Sequence, residues 1–113
     1  MIHYLNLHDA PFQSIKNKLK TIEMRLNDER RKLINVGDII VFTNNVTNET
    51  MSCKVINIYP FKNFDELYKN FNKEKLGYLP DEIASPSDME IYYSKEKILT
   101  YGVLGIEIKL INK

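Results

Sequence analysis

Two stretches of this chain alternate polar and apolar residues with a period of two, and this pattern constrains its fold more than any other feature. In Thr21 to Leu26, Thr21, Glu23 and Arg25 fall on one side and Ile22, Met24 and Leu26 on the other. In Val103 to Ile111, Leu104, Ile106, Ile108 and Leu110 share a side opposite Glu107 and Lys109. An extended strand sorts residues this way, because successive side chains point to opposite faces. Both stretches are therefore predicted as half-buried strands, with one face on a core and the other in water. On that reading a charge placed at Met24 collapses the fold at a cost of several kcal/mol, whereas Glu23→Gln costs less than about 1 kcal/mol.

The remaining segments supply partners for these strands. His3 to Leu7 reads as a short strand, followed by a helix start with Asp9 as N-cap, Pro11 just inside and Phe12, Ile15 and Leu19 on one face. Val36-Gly37-Asp38 is a turn into the β-rich run Ile39 to Phe42. A polar hairpin loop from Asn44 to Asn48 then leads into Met51 to Tyr59, which pairs with that run at the centre of the sheet. Pro60 is expected to end this long strand. Asn63 and Glu66 have the spacing of a capping box before Phe64, Leu67, Tyr68 and Phe71, the clearest helix in the chain. After an irregular connection, Ser85-Pro86-Ser87-Asp88 opens a helical stretch through Met89, Tyr92 and Tyr93 with a restart at Ser94, stopped by Tyr101-Gly102. The sum is an α+β fold: a mixed β-barrel of about five to six strands with two to three short flanking helices, closed so that no edge is left exposed.

At 113 residues, 43% of them hydrophobic, the chain is expected to form a single domain over residues 1–113 with a core of its own. Sixteen basic residues against fifteen acidic ones exclude a strongly polybasic nucleic-acid binder and an acidic disordered tail. One cysteine, Cys53, excludes a disulfide scaffold, and with only His3 and His8 beside it no usual zinc site can be built. Apolar runs reach only four residues, so no membrane partner and a cytoplasmic location are expected. No metal and no cofactor are implied, and the phosphate-cradling, nucleophile-elbow and zinc-protease motifs are missing. The first third, Met1 to Ile34, carries seven bases against four acids, a modest positive patch that either steers a phosphate-bearing ligand or is a solvated helix edge.

The row Thr21, Glu23 and Arg25 is where chemistry could sit. Its members stand roughly 7 Å apart along one strand face and can converge on one ligand. Glu23 could accept hydrogen bonds from a base or sugar while Arg25 takes a phosphate oxygen or stacks on a ring. The same residues fit equally a surface ion pair worth under about 1 kcal/mol. Lys20 sides with Ile22 and Met24 in the alternation, so it must bend out at the strand's start or lie at a barrel mouth, as a general base or simply snorkelling. Tyr92 and Tyr93 are adjacent, so one of them points away from the buried face and is a stacking candidate.

Several motifs together resemble one family. They are Pro11-Phe12 with Ile15-Lys16, Lys20-Thr21-Ile22-Glu23-x-Arg25-Leu26, Val36-Gly37-Asp38-x-Ile40-x-Phe42, Phe64-x-x-Leu67-Tyr68, Tyr93-Ser94 and Tyr101-Gly102-Val103-x-Gly105-Ile106. Their order and spacing resemble the bacterial ASCH domains of the PUA-like superfamily, from about residue 3 to 111. The resemblance implies a PUA-like barrel with flanking helices and a cleft beside the lysine-threonine motif that takes RNA or a modified nucleoside or nucleotide. The ligand-contacting set is then Lys16, Lys20, Thr21, Glu23, Arg25 and Tyr93. One branch of small ASCH proteins hydrolyses the acetyl amide of N4-acetylcytidine, with a pattern resembling Lys-Thr-Ile-Thr-x-Arg in which the lysine is the base, the second threonine the nucleophile and a later glutamate the acid. Carried over, Lys20 matches the base and Arg25 the arginine, while Glu23 holds the nucleophile's place and the acid falls near Glu74. A carboxylate can attack or activate water, but the threonine-lysine mechanism does not transfer unchanged.

Overall fold

The computed structural model describes residues 1–111; residues 112 and 113, within the expected domain, lie outside the described residues. The chain runs β1 (Ile2–Leu7), α1 (Asp9–Lys16), β2 (Ile22–Leu26), β3 (Ile39–Asn44), β4 (Thr50–Phe61), α2 (Phe64–Lys69), α3 (Lys95–Tyr101) and β5 (Val103–Leu110), with 3-10 turns at Arg31–Leu33, Lys73–Leu76 and Pro86–Ile91. The five strands form one curled sheet in the order β1-β3-β4-β5-β2. The β1–β3 pair is parallel and the others are antiparallel, so the sheet is mixed. The β3–β4 hairpin lies inside it, as the turn residues predict. This is an α+β half-barrel, whose two edge strands β1 and β2 are not paired with each other and leave a seam instead of a closed barrel.

Several boundaries differ from the sequence reading. Helix α1 starts one residue early, with His8 at the N-cap. The Asp9 carboxylate instead accepts from Asn44 Nδ2 at 2.8 Å and Gln13 Nε2 at 3.3 Å, tying α1 to the end of β3. The helix also ends early, at Lys16, so Phe12 and Ile15 are buried but Leu19 is exposed. Pro60 does not end β4, which continues to Phe61 with Pro60 opposite Leu104. A register shift between Val55 and Asn57 bends this strand around the sheet. The α2 cap forms as read: Asn63 Oδ1 accepts from the Glu66 amide at 2.9 Å.

The sheet carries apolar cores on both faces. On the concave side Leu5, Leu7, Phe12, Ile15, Ile40, Phe42, Met51, Cys53, Val55, Leu104, Ile106 and Ile108 pack beneath α1. On the convex side Ile22, Met24 and Val103 meet Phe64, Leu67, Leu76 and Met89, brought by α2 and the turns after it. Gly105 lies where Ile22, Leu67 and Phe71 converge, and the absence of a side chain there lets α2 approach the sheet. Strand β2 is therefore buried along its whole length and on both faces. The expectation that Thr21, Glu23 and Arg25 share a wet face is overturned for Glu23 and Arg25, which turn into the concave interior. A half-buried period-two strand and a fully buried one with polar groups on one side have the same sequence pattern, so only packing from both sides separates them.

Candidate functional site

The chain enters β2 by an unusual route. After α1, Lys18 takes a left-handed conformation (φ 65°), and the amides of Leu19 and Lys20 both donate to the Ser14 carbonyl. The Thr21 amide donates to Lys75 O, and Thr21 O accepts from the Ile108 amide. Lys20 thus stands outside the strand's alternation, and its side chain swings to the Glu23 side. It runs past Gly77, where a Cβ would stand 3.2 Å from Lys20 Cδ. The 3-10 turn Lys73–Leu76, ended by Gly77 at φ 104°, is thereby the wall along which the lysine is guided.

Three charged side chains meet at the β1–β2 seam. Lys20 Nζ lies 2.9 Å from Glu23 Oε1, and Arg25 Nε donates to Glu23 Oε2 at 2.6 Å. Arg25 Nη2 crosses the seam to Asn6 O of β1 at 2.8 Å, and Tyr93 lies near enough to the guanidinium to help favour the cation. The relative exposures are 8% for Lys20, 2% for Glu23 and 9% for Arg25. Burial alone would push the Glu23 carboxyl up, but Lys20 and Arg25 outweigh it and bring it down from 4.5 to about 2. Burial likewise works against the Arg25 cation, and Glu23 prevails, so its pKa is raised. A second arginine closes the seam further along, where Arg30 Nη2 donates to Tyr4 O at 2.7 Å. Carbonyls on the open edge of β1 are thus satisfied by arginines in place of a neighbouring strand.

The sequence-predicted residues divide. Lys20, Glu23, Arg25 and Tyr93 are brought together. Thr21 is half-buried beside them, its backbone engaged in the sheet and in the 73–77 turn. Lys16 is taken up by an ion pair with Glu49. Glu74 is exposed on the 3-10 turn and makes none of the triad's contacts. The two tyrosines separate as adjacency requires: Tyr93 stacks on Phe64 (centroids 6.2 Å, planes 16° apart), whereas Tyr92 is 47% exposed with its ring 5.6 Å from His8. Cys53 lies in the concave core, its thiol pushed up to about 12 by burial and by Glu23. Asn6, Gly77 and His8 were not foreseen. Gly77 carries a signal, a glycine directly after a short polar turn, but nothing local marks Asn6, whose part is played by a backbone carbonyl.

The arrangement is suited to holding an anion. Glu23 has both oxygens engaged and offers no free edge to a ligand, so its part is to orient Lys20 and Arg25. One carboxylate serving two cations leaves one positive charge in excess, inside the protein's low-dielectric margin. Among the described residues no group of three or more His, Cys, Asp or Glu side chains is placed to hold a metal, and no helix is long and apolar enough to cross a membrane.

Comparison with known proteins agrees with this fold. The crystal structure of the hypothetical protein PH0355 matches with a TM-score of 0.83 and 31% identity, over 98% of this chain and all of that one. The solution structure of protein PF0455 from Pyrococcus furiosus matches over the whole of both chains, with a TM-score of 0.72 and 30% identity. A mutant of ZmASCH from Zymomonas mobilis shares the fold at 13% identity (TM-score 0.69), over 98% of this chain and 73% of that one. No curated protein matches the sequence. The sequence profile of the ASCH domain spans residues 5–112, and with the curled sheet and its flanking helices this establishes that the chain belongs to the ASCH domain family of the PUA-like superfamily.

Proposed function

We propose that this ASCH domain is a binding module for RNA or a nucleotide, with the phosphate taken at the β1–β2 seam by Lys20 and Arg25. The observation that carries this reading is the uncompensated charge of the buried triad. Buried ion pairs return little stability, because desolvation offsets their attraction, so an apolar trio of the same volume would serve the fold as well or better. Two cations held against one carboxylate are instead a preorganised anion receptor, with Tyr93 beside Arg25 and the Tyr92 ring next to Tyr93 and His8. Positively charged side chains fix the phosphate, and the exposed Tyr92 ring offers a face for a base.

The test is a calorimetric titration, at low and moderate salt, with nucleosides, the matching 5′-monophosphates and a short RNA. Monophosphates and RNA should bind, weakening with salt, and the bare nucleosides should bind far less. Arg25→Lys, which keeps the charge but loses the planar fork, should weaken binding at least tenfold in a protein that still unfolds cooperatively. Absence of binding at low salt, or equal affinity for nucleosides and monophosphates, would remove the phosphate from the proposal.

A second reading, hydrolysis of the acetyl amide of N4-acetylcytidine, draws on Lys20 lying next to the residue at the nucleophile's place. The geometry weighs against it. A base at Lys20 would have to give up the hydrogen bond it makes to Glu23, and a carboxylate pinned by two cations is a weak nucleophile. Loss of the acetylated chromophore on incubation, abolished by Lys20→Ala, would favour hydrolysis over simple binding.

A further inference from the structure

The convex face of the sheet is covered only in part. Its β2 end lies under α2 and the turns that follow, whereas over β1, β3 and the start of β4 the side chains of Ile2, Tyr4, Asn6, Thr50 and Lys54 are exposed. The strand register orders the side chains there into rows. Ile2 stands beside Ile39, then Lys54 and Lys109; Tyr4 stands beside Val41 and Ser52; Asn6 stands beside Thr43 and Thr50. Tyr4 is 63% exposed and Ile2 54%. Lys54 and Lys109 are both exposed, directly opposite each other on antiparallel strands, and neither has an ion-pair partner among the described residues. The acids nearest this face are engaged elsewhere: Glu107 accepts from the Tyr59 hydroxyl at 2.9 Å, and Glu49 holds Lys16.

Like charges set opposite each other on a sheet oppose folding. Here they lie to one side of an exposed aromatic ring and a small apolar floor, and on the other side of Tyr4 the Arg30 guanidinium caps the edge of β1. We propose that this bare face is a stacking platform for single-stranded RNA, which would continue across the β1 edge from the seam. The inference rests on the seam being a nucleotide site, and it names the ligand class as an oligonucleotide longer than one unit. Cations on both sides of an exposed ring match a polyanion with flat bases. An acidic peptide would use the lysines but would leave the ring without a purpose. Strand spacing puts the Cα atoms of Tyr4 and Lys54 roughly 12 Å apart, enough for a short run of nucleotides with one base on the ring.

Fluorescence anisotropy with labelled single-stranded RNAs of one, four and eight nucleotides tests this, for the wild type, Tyr4→Ser and the pair Lys54→Gln with Lys109→Gln. All three side chains are exposed, and thermal unfolding should show the lysine pair variant at least as stable as the wild type. Affinity should rise with length in the wild type. Tyr4→Ser should weaken the eight-nucleotide complex roughly 5- to 150-fold. The lysine pair variant should lower the slope of log affinity against log salt by about 1.4. Binding of the single nucleotide should be unchanged in both. If length brings no gain, or both variants bind the longer RNA as the wild type does, the platform is overturned and the seam site stands. If Tyr4→Ser instead dissociates a dimer seen by sedimentation, the face belongs to a second copy of the chain, which also overturns the proposal. If the eight-nucleotide RNA binds through this face while Arg25→Lys has no effect, the seam reading falls, and the continuous path from seam to platform is overturned with it.

Discussion

The concave interior holds two kinds of neighbourhood within one sheet. Ile40, Phe42, Cys53 and Ile106 form an apolar part of it, each of these residues fully buried. At the β2 end it holds Lys20, Glu23 and Arg25, buried to a similar degree but charged. The first neighbourhood is stabilised by removal of apolar surface from water and by close packing, which are additive over many small contacts. The second is stabilised only as a set, because each charge is tolerable only in the presence of the others. The apolar region should therefore lose stability in proportion to the volume removed, and the charged region according to which charges are left over.

The largest effects should come from single changes on each side. Phe42→Ala should cost about 3–5 kcal/mol in urea unfolding. Glu23→Gln should cost a similar 3–5 kcal/mol, because it strands two buried cations; the value below about 1 kcal/mol expected for an exposed Glu23 no longer applies. The two variants differ in pH dependence. The Glu23 carboxyl sits at about 2 in the fold against 4.5 ordinarily, so its stabilisation is complete above about pH 4.5 and is lost as pH falls toward 2. Phe42→Ala should keep that acid limb. Glu23→Gln should flatten it, leaving the share contributed by Asp38, which His3 and the Asn35 amide also hold down to about 2. An unaltered limb in Glu23→Gln would show that the carboxylate is not held as described.

Removing all three charges together sharpens the contrast. Lys20→Met, Glu23→Leu and Arg25→Met in one chain should leave stability unchanged or raise it by about 1–4 kcal/mol, while phosphate and nucleotide binding disappear. A triple variant as unstable as Glu23→Gln alone would mean that the triad is structural. Gly77→Ala should cost about 1–2 kcal/mol, since its φ of 104° strains any side chain and the new methyl presses on Lys20 Cδ. Tyr93→Phe should be the mildest, at most about 1 kcal/mol, since it removes only the hydroxyl near Arg25 and leaves the ring on Phe64.

What the sequence determined by itself was local. Alternation placed β2 and β5, the Asn63–Glu66 spacing placed the α2 cap, and the turn residues placed the β3–β4 hairpin, because each depends on neighbours a few residues away. The motif Lys20 to Arg25 was also legible as a charge cluster, since it gathers three charged groups within six residues. What only the tertiary structure decided was that neither side of β2 faces water. Ile22 and Met24 look the same in sequence whether or not α2 covers the opposite face, and Glu23 looks the same on a surface or in an interior. That choice was made by residues far along the chain: α2 and Met89 closing one face, α1 and the β1 edge closing the other, and the Asn6 carbonyl accepting from Arg25 across the seam. Burial is a property of the whole packing, and a charged residue is buried only when distant groups arrive to pair with it.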